Sequence, residues 1–378
     1  MKKKVIITGG AGFIGSNLAI KLKTKGYNVT ILDNMSQQIH GKDYKKSYLY
    51  NNIKDEVNFI LGDIRDKTKW KKALEDANII VHLAAETGTG QSMYEIQKYT
   101  DVNLKGTSVL LDLLANNEHN IEKIIFASSR AIYGEGKYVC DNHGVVYPDA
   151  RENKDMKKGD FHVKCPICKE NVNVLPTSED SKIHPTSIYG FTKKSQEELF
   201  MLAGKFLNIP VVGFRYQNVY GPGQSLKNPY TGILSIFSTR IKNGNKINIF
   251  EDGKESRDFV YIDDVVNATI LGIEREKANF EVFNVGSGEL TDVLTVANTL
   301  KEKYDSDVEI EISGNYRLGD IRHNYADLSK IKNTLGFEPK VDFDEGITNF
   351  INWVNEQNVE EDKYKDSLNE MKQRGLYK

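Results

Sequence analysis

The sequence predicts an α/β fold built on a Rossmann-like, doubly wound parallel sheet, followed by a smaller α+β C-terminal part and interrupted by a cysteine-bearing insertion. Three observations carry this. Short β-branched runs are apolar without alternation, longer amphipathic segments separate them, and a glycine-spaced turn directly follows the first run. Continuous apolar runs mark strands buried on both faces. Their alternation with helical segments is the pattern of parallel βαβ units.

The first strand, KVIITG, runs into TGGAGFIGS, where Gly9, Gly12 and Gly15 stand three apart, and then into the helical pattern SNLAIKLKTKGY. Glycines there permit a tight turn, close approach of backbone to a pyrophosphate and close helix packing, while the helix N-terminus offers N–H groups. The second strand, NVTILDN, ends in Asp33. A carboxylate at that place accepts hydrogen bonds from both ribose hydroxyls and repels a 2′-phosphate, so NAD is expected rather than NADP. VNFILGD reaches Asp63, and IIVHLAA ends in small residues. Both lie at the carboxyl ends of predicted strands, the edge where doubly wound sheets bind ligands. DVNLKGTSVLLDLLANN supplies a further helix, KIIFASS a fifth strand and PVVGFRY a sixth.

Between these last two strands, Gly136 to about Pro176 breaks the rhythm with charges, glycines and prolines, and an insertion over about 136–180 is expected. It holds all three cysteines, as Cys140-Asp-Asn-His143 and Cys165-Pro-Ile-Cys168. Paired ligands on two tight turns suit a closed tetrahedral zinc site, which would order a segment poor in apolar residues. Four ligands leave no open position, so the expected role is structural.

SIYGFTKKSQEELF places Tyr189 and Lys193 four apart, on one face of a predicted helix. A cation beside a phenol favours phenolate and brings a group of reference pKa about 10 towards use as a base. Ser129, in SSRAIYG, is placed to hydrogen-bond a substrate hydroxyl. After Gly221 the pattern loosens into turns rich in Gly, Pro and Asn. Residues 1–216 are therefore expected to form the dinucleotide-binding domain and 217–378 mainly a second one, with about 258–280 returning to the first. Asp263 and Asp264 are expected to cap a helix start. From about Gln357 the chain is charged and reads as a surface helix or frayed tail.

Composition excludes several classes. Against 53 acidic residues stand 51 basic ones, interspersed, so no strong field exists for nucleic acid or an anionic membrane. No apolar run approaches membrane-spanning length. Three cysteines in 378 residues are no disulfide framework and fit a reducing cytoplasm.

Taken together, TGGAGFIG, LDN, GDIRD, HLAA, VNLKGT, SSRAIYG, YGFTK, RYQNVYGPG, RDFVYIDDVV, NVGSG and RLGDIRH resemble the extended short-chain dehydrogenase/reductases that act on nucleotide sugars. The resemblance spans nearly the whole chain. It implies that Tyr189 removes a hydroxyl proton while hydride passes to a tightly bound NAD, that Lys193 holds the ribose and lowers the tyrosine pKa, and that Ser129 assists. On the cofactor it implies Gly9, Gly12, Phe13, Ile14, Gly15, Asp33, Asn34, Asp63, Ile64, Leu83, Ala84, Ala85 and Asn103, with Tyr189 and Lys193. On the nucleotide-diphosphate sugar it implies Thr87, Ser129, Arg130, Tyr189, Asn218, Arg257 and Arg317. Guanidinium donors suit a pyrophosphate in a cleft. A homodimer paired through the tyrosine helix is implied as well.

Sugar 4,6-dehydratases of this family place an Asp-Glu pair after the catalytic Ser/Thr, and here those positions are Arg130 and Ala131. Elimination thus lacks its acid and base, which leaves oxidation and re-reduction: epimerisation, usually at C4. HLAAETGTGQSMYEI and the cysteine-bearing insertion resemble the branch that interconverts dTDP-L-rhamnose and dTDP-6-deoxy-L-talose, whose product would suit surface polysaccharide synthesis. UDP-glucose or UDP-uronate 4-epimerases and CDP-sugar 2-epimerases share most of the motifs. A cofactor-releasing reductase or dehydrogenase, and a silent NAD-binding or zinc-dependent interaction protein, are the rival readings. The presence of both Tyr189 and Lys193 weighs against a silent protein.

Overall fold

The computed structural model describes residues 3–230 and 232–378. Its centre is a seven-stranded, all-parallel sheet in the spatial order Glu281–Val285, Val211–Tyr216, Lys123–Ser129, Ile79–His82, Lys4–Thr8, Asn28–Asp33, Asn58–Leu61. The first strand lies inside the sheet, with Ile6 opposite Thr30 on one side and Ile80 on the other. Alternate residues feed two cores. Val5 and Ile7 join one apolar cluster and Ile6 the other, which is why the strand reads as apolar without alternation. Helices Phe13–Thr24 and Ile262–Glu274 cover the first face; Gly106–Asn116 and Ile188–Leu207 bury Leu110, Leu114 and Phe200 against the second.

Beyond Tyr216 the chain builds small sheets above the strand ends. Asn218–Tyr220 pairs with Phe259–Tyr261, Ile247–Ile249 with Ile310–Ile312, and Ser256–Arg257 lies between Thr291–Asp292 and His323–Asn324. The Glu281–Val285 strand then adds to the edge of the large sheet beside Val211–Tyr216. Asp264 does not cap its own helix. Its carboxylate accepts from the backbone N–H groups of Lys340 and Val341 and ties down a distant segment.

The inserted segment forms a three-stranded antiparallel sheet, with Tyr138–Cys140 between Gly144–Val146 and Asn173–Val174. It is anchored to the C-terminal part by Arg151, whose guanidinium donates to both carboxylate oxygens of Glu251 (2.6 and 2.8 Å) and to the Asp320 carbonyl (3.0 Å).

The expectation of a surface helix or frayed tail after Gln357 is corrected. The Tyr364–Gln373 helix buries Tyr364, Ser367 and Met371, and the last residues pair backbone to backbone, Leu318 with Leu376 and Tyr316 with Lys378. A periodic signal was present, at Tyr364, Ser367, Leu368 and Met371, but the surrounding charges mask it. No helix among the described residues is long and apolar enough to cross a membrane.

Candidate active site

Two cavities open at the carboxyl ends of the central strands. One is lined by Gly9, Gly12, Phe13, Ile14, Gly15, Asp33, Asn34, Asp63, Ile64, Leu83, Ala84 and Ala85, and it ends at Ser129, Tyr189 and Lys193. The other holds Arg130, Asn218, Arg257 and Arg317. Thr87, Ser129 and Tyr189 belong to both. That junction brings together nearly every residue expected from the sequence.

The dinucleotide end is built from strand ends. Gly9 turns the chain at φ +64°, a conformation that only glycine adopts freely. The Asp33 carboxylate, at the end of the second strand, accepts from the Ala11 N–H (3.0 Å) and the Met35 N–H (2.8 Å) and faces the cavity. These residues fit NAD, because an acid stands where the adenosine ribose would lie and the glycine turn leaves the backbone bare. Asp63 is held by Arg65, and also by Asn34. Arg65 is the chief reason its carboxyl is lowered to about 2. Asn103 departs from expectation. It lies in a π-helical turn, fully buried, with its amide spent on the Glu86 backbone (2.8 and 3.1 Å) and on Thr192 Oγ1 (3.0 Å). It braces the wall from behind, and no atom of it lines the cavity.

Tyr189 stands in the first turn of the Ile188–Leu207 helix. Its backbone N–H is held by Ser92 Oγ (3.0 Å), and its ring lies edge-on to Tyr99 at 6.4 Å. Burial pushes the phenol up; the Ser129 hydroxyl and the Arg130 guanidinium pull it back. Burial lowers Lys193 to about 7, and its ammonium donates to Gln196 Oε1 (2.5 Å), itself fixed by Thr107 Oγ1 (2.7 Å). Gln196, Ser92, Tyr99 and the electrostatic part of Arg130 were missed by sequence reasoning. Gln196 alone carried a local signal, three residues after Lys193 on the same helix.

Ser128 and Tyr133, the neighbours of Ser129, prove structural. Ser128 Oγ donates to Glu197, Glu197 binds Arg215, and Arg215 donates to Tyr133 Oη (2.7 Å), which donates to Asn284 (2.8 Å). Strand alternation accounts for the division between the two serines.

In the second cavity Arg130 donates through Nε to Asn218 Oδ1 (3.0 Å). Arg257 donates to the carbonyls of Ile321 and Arg322, and Arg317 pairs with Asp320 (2.6 Å) over the ring of Phe250. Three guanidinium groups thus line one cavity. A phenol can act as a base only when deprotonated, so removing the Arg130 charge, which holds the Tyr189 phenol down, would move the acid limb of any reaction that uses Tyr189 as its base to higher pH. Arg130→Met is expected to shift that limb alkaline in a kcat/KM–pH profile; an unmoved limb would show that the guanidinium does not act on the phenol.

In the insertion, Cys140 Sγ stands 3.6 Å from both His143 Nδ1 and Cys168 Sγ, and Cys165 Sγ stands 3.8 Å from His143 Nδ1. All four ligand atoms lie within 4.8 Å of one another. With Zn–S bonds of about 2.3 Å, the edge of a tetrahedron is roughly 3.8 Å, so the set fits a closed zinc site.

Residues 5–151 and 168–286 match the Epimerase family, described as the NAD dependent epimerase/dehydratase family. The chain is 36% identical over 355 residues to a dTDP-L-rhamnose 4-epimerase of Burkholderia thailandensis, covering 93% of this chain and 95% of the relative. Among solved structures it resembles a UDP-glucose 4-epimerase of Thermotoga maritima with UDP-glucose, at TM-score 0.76 and 31% identity, over 93% of this chain and 98% of that one. A UDP-glucuronic acid 4-epimerase of Bacillus cereus, in complex with UDP-glucuronic acid and NAD, gives TM-score 0.75 and 27% identity, over 93% and 99%.

Proposed function

The chain belongs to the NAD dependent epimerase/dehydratase family, and from that premise we propose that it is a nucleotide-sugar epimerase acting at C4 of dTDP-L-rhamnose and dTDP-6-deoxy-L-talose. The observation that carries this reading is the meeting of the two cavities at Thr87, Ser129 and Tyr189. A sugar carbon placed there faces the cofactor end and the base at once. The relative from Burkholderia supports the choice of substrate.

The bound dinucleotide would supply a hydride acceptor that also returns the hydride. The protein's residues do the rest. Tyr189 Oη takes the proton of the C4 hydroxyl as the C–H bond is broken, and returns it to the same oxygen after the keto sugar has turned over. Ser129 positions that hydroxyl, and Lys193 holds the nicotinamide ribose. Arg257 and Arg317 grip the diphosphate, which leaves the sugar free to rotate. With Arg130 and Ala131 after Ser129, no carboxylic acid stands there to expel a neighbouring hydroxyl.

The test is proton NMR of the purified protein with dTDP-L-rhamnose and no added NAD. A second anomeric signal growing to a fixed ratio is expected. Turnover of UDP-glucose or UDP-glucuronate in its place would reassign the substrate, and silence in all mixtures would overturn the epimerase reading.

A structural zinc at Cys140, His143, Cys165 and Cys168 belongs to the same proposal. One equivalent of zinc per chain is expected in metal analysis. Chelation should lower thermal stability and expose the three thiols to a thiol reagent, because metal binding contributes directly to the folding of such segments. Unchanged melting and unreactive thiols would refute it. A homodimer is proposed through the Ile188–Leu207 helix, whose Phe191, Leu202 and Phe206 are 49, 71 and 82% exposed. Large apolar side chains exposed on one helix suit an association surface.

A further inference from the structure

The Tyr364–Gln373 helix lies across the second cavity and gives it Tyr364, Ser367, Leu368 and Met371. These are the i, i+3, i+4 and i+7 positions of one helical face. The face lines one wall of the cavity. Tyr364 shares one end with Arg317, Asn248 and Phe250, the end assigned above to the diphosphate. At the other end, the Met371 sulfur lies 3.6 Å from where a Cβ on Gly90 would stand. Gly90 follows the Thr87–Thr89 stretch, and the Thr87 carbonyl accepts from Tyr99 Oη (2.6 Å), whose ring touches Tyr189. Met371 therefore closes the end where the base acts.

The helix is not loosely laid there. Asp362 pairs with the buried Arg240 (3.1 Å), whose guanidinium sits 4.4 Å over the Tyr364 ring. Glu370 accepts from Tyr230 Oη, and Arg374 lies over Tyr94 at 5.1 Å. Glu370 and Arg374 are thus held by Tyr230 and Tyr94, and the apolar side chains that the helix gives the cavity, beside Tyr364 and Ser367, are Leu368 and Met371.

Resting on the epimerase reading, we propose that this helix is the specificity wall of the sugar pocket, with Leu368 and Met371 forming an apolar seat for the C6 methyl of a 6-deoxyhexose. A hydroxymethyl or carboxylate at C6 would lose water against Leu368 and Met371, which offer it no hydrogen bond, and this disfavours hexoses and uronates. Arg130, the cation beside Tyr189, belongs to the strand-end wall and is tied to Asn218, so it does not neutralise a carboxylate on the helix side.

The test compares binding of dTDP and dTDP-L-rhamnose by calorimetry in the catalytically silent Tyr189→Phe holoenzyme, with and without Met371→Lys or Leu368→Gln. The ratio of the two dissociation constants isolates the contribution of the sugar. Met371→Lys is expected to cut that ratio about tenfold or more, the scale of apolar-pocket discrimination, while dTDP alone binds nearly unchanged. Should Met371→Lys fail to fold, Leu368→Gln, whose side chain is only half-buried, gives the same reading with a smaller loss. A ratio unchanged in the folded variants, or an equal loss for dTDP, overturns the assignment. Turnover of dTDP-L-rhamnose by the unaltered chain tests the function separately, so an active enzyme with an unchanged ratio sinks this inference alone.

Discussion

Replacing Tyr189 by Phe is expected to lower epimerisation by about 10²- to 10⁴-fold, the range for loss of a positioned acid–base group, with bound NAD retained. Only one oxygen is removed. The ring still fills its place against Tyr99, and the backbone N–H still reaches Ser92. The other residues that line the dinucleotide cavity, the glycine turn, Asp33 and Lys193 among them, are untouched by the substitution. Initial rates by proton NMR, set beside the NAD released on acid treatment, check both halves. A variant that keeps more than about a tenth of the rate would mean that Ser129 or solvent carries the proton, since a general base contributes more than that.

Gly15→Val is expected to empty the dinucleotide site. A Cβ at Gly15 would stand 2.4 Å from the Gly9 carbonyl oxygen and 2.6 Å from the Gly10 Cα. Both are backbone atoms, so no side-chain rotation relieves the clash. The turn must open and the Phe13–Thr24 helix must move off the sheet, at a cost on the order of 1–3 kcal/mol for overpacking. NAD per chain should fall at least tenfold, with a lower melting temperature. Stoichiometric NAD in the purified variant would refute the placement of the pyrophosphate at this turn.

The same closeness of backbone explains why this part of the site was legible. Gly9, Gly12 and Gly15, Asp33, and the Tyr189/Lys193 pair are local patterns. Each is set by a turn or a helical repeat that a few adjacent residues specify, and the strand order then brings them to one sheet edge. Cys140, His143, Cys165 and Cys168 were legible for a like reason, since each pair sits on its own tight turn. Asn103 shows the limit. Its motif position suggested contact with the cofactor, yet a π-helical turn aims its amide at Glu86 and Thr192. The motif position of Arg130 points to the substrate, and only the folded pocket shows that its charge also stands near enough to the Tyr189 phenol to lower its pKa.

By itself, the sequence determined the parallel sheet, the glycine turn, the Tyr189/Lys193 pair on its helix and the absence of an Asp-Glu pair after Ser129, because periodicity and short spacing encode these locally. Tertiary structure alone decided which groups face each other across long separations. It set Arg151 against Glu251, Gln196 against Thr107, and above all the C-terminal helix across the sugar cavity. A weakly apolar, heavily charged segment carries no strong helical moment of its own, and its buried face acquires meaning only from the wall it completes.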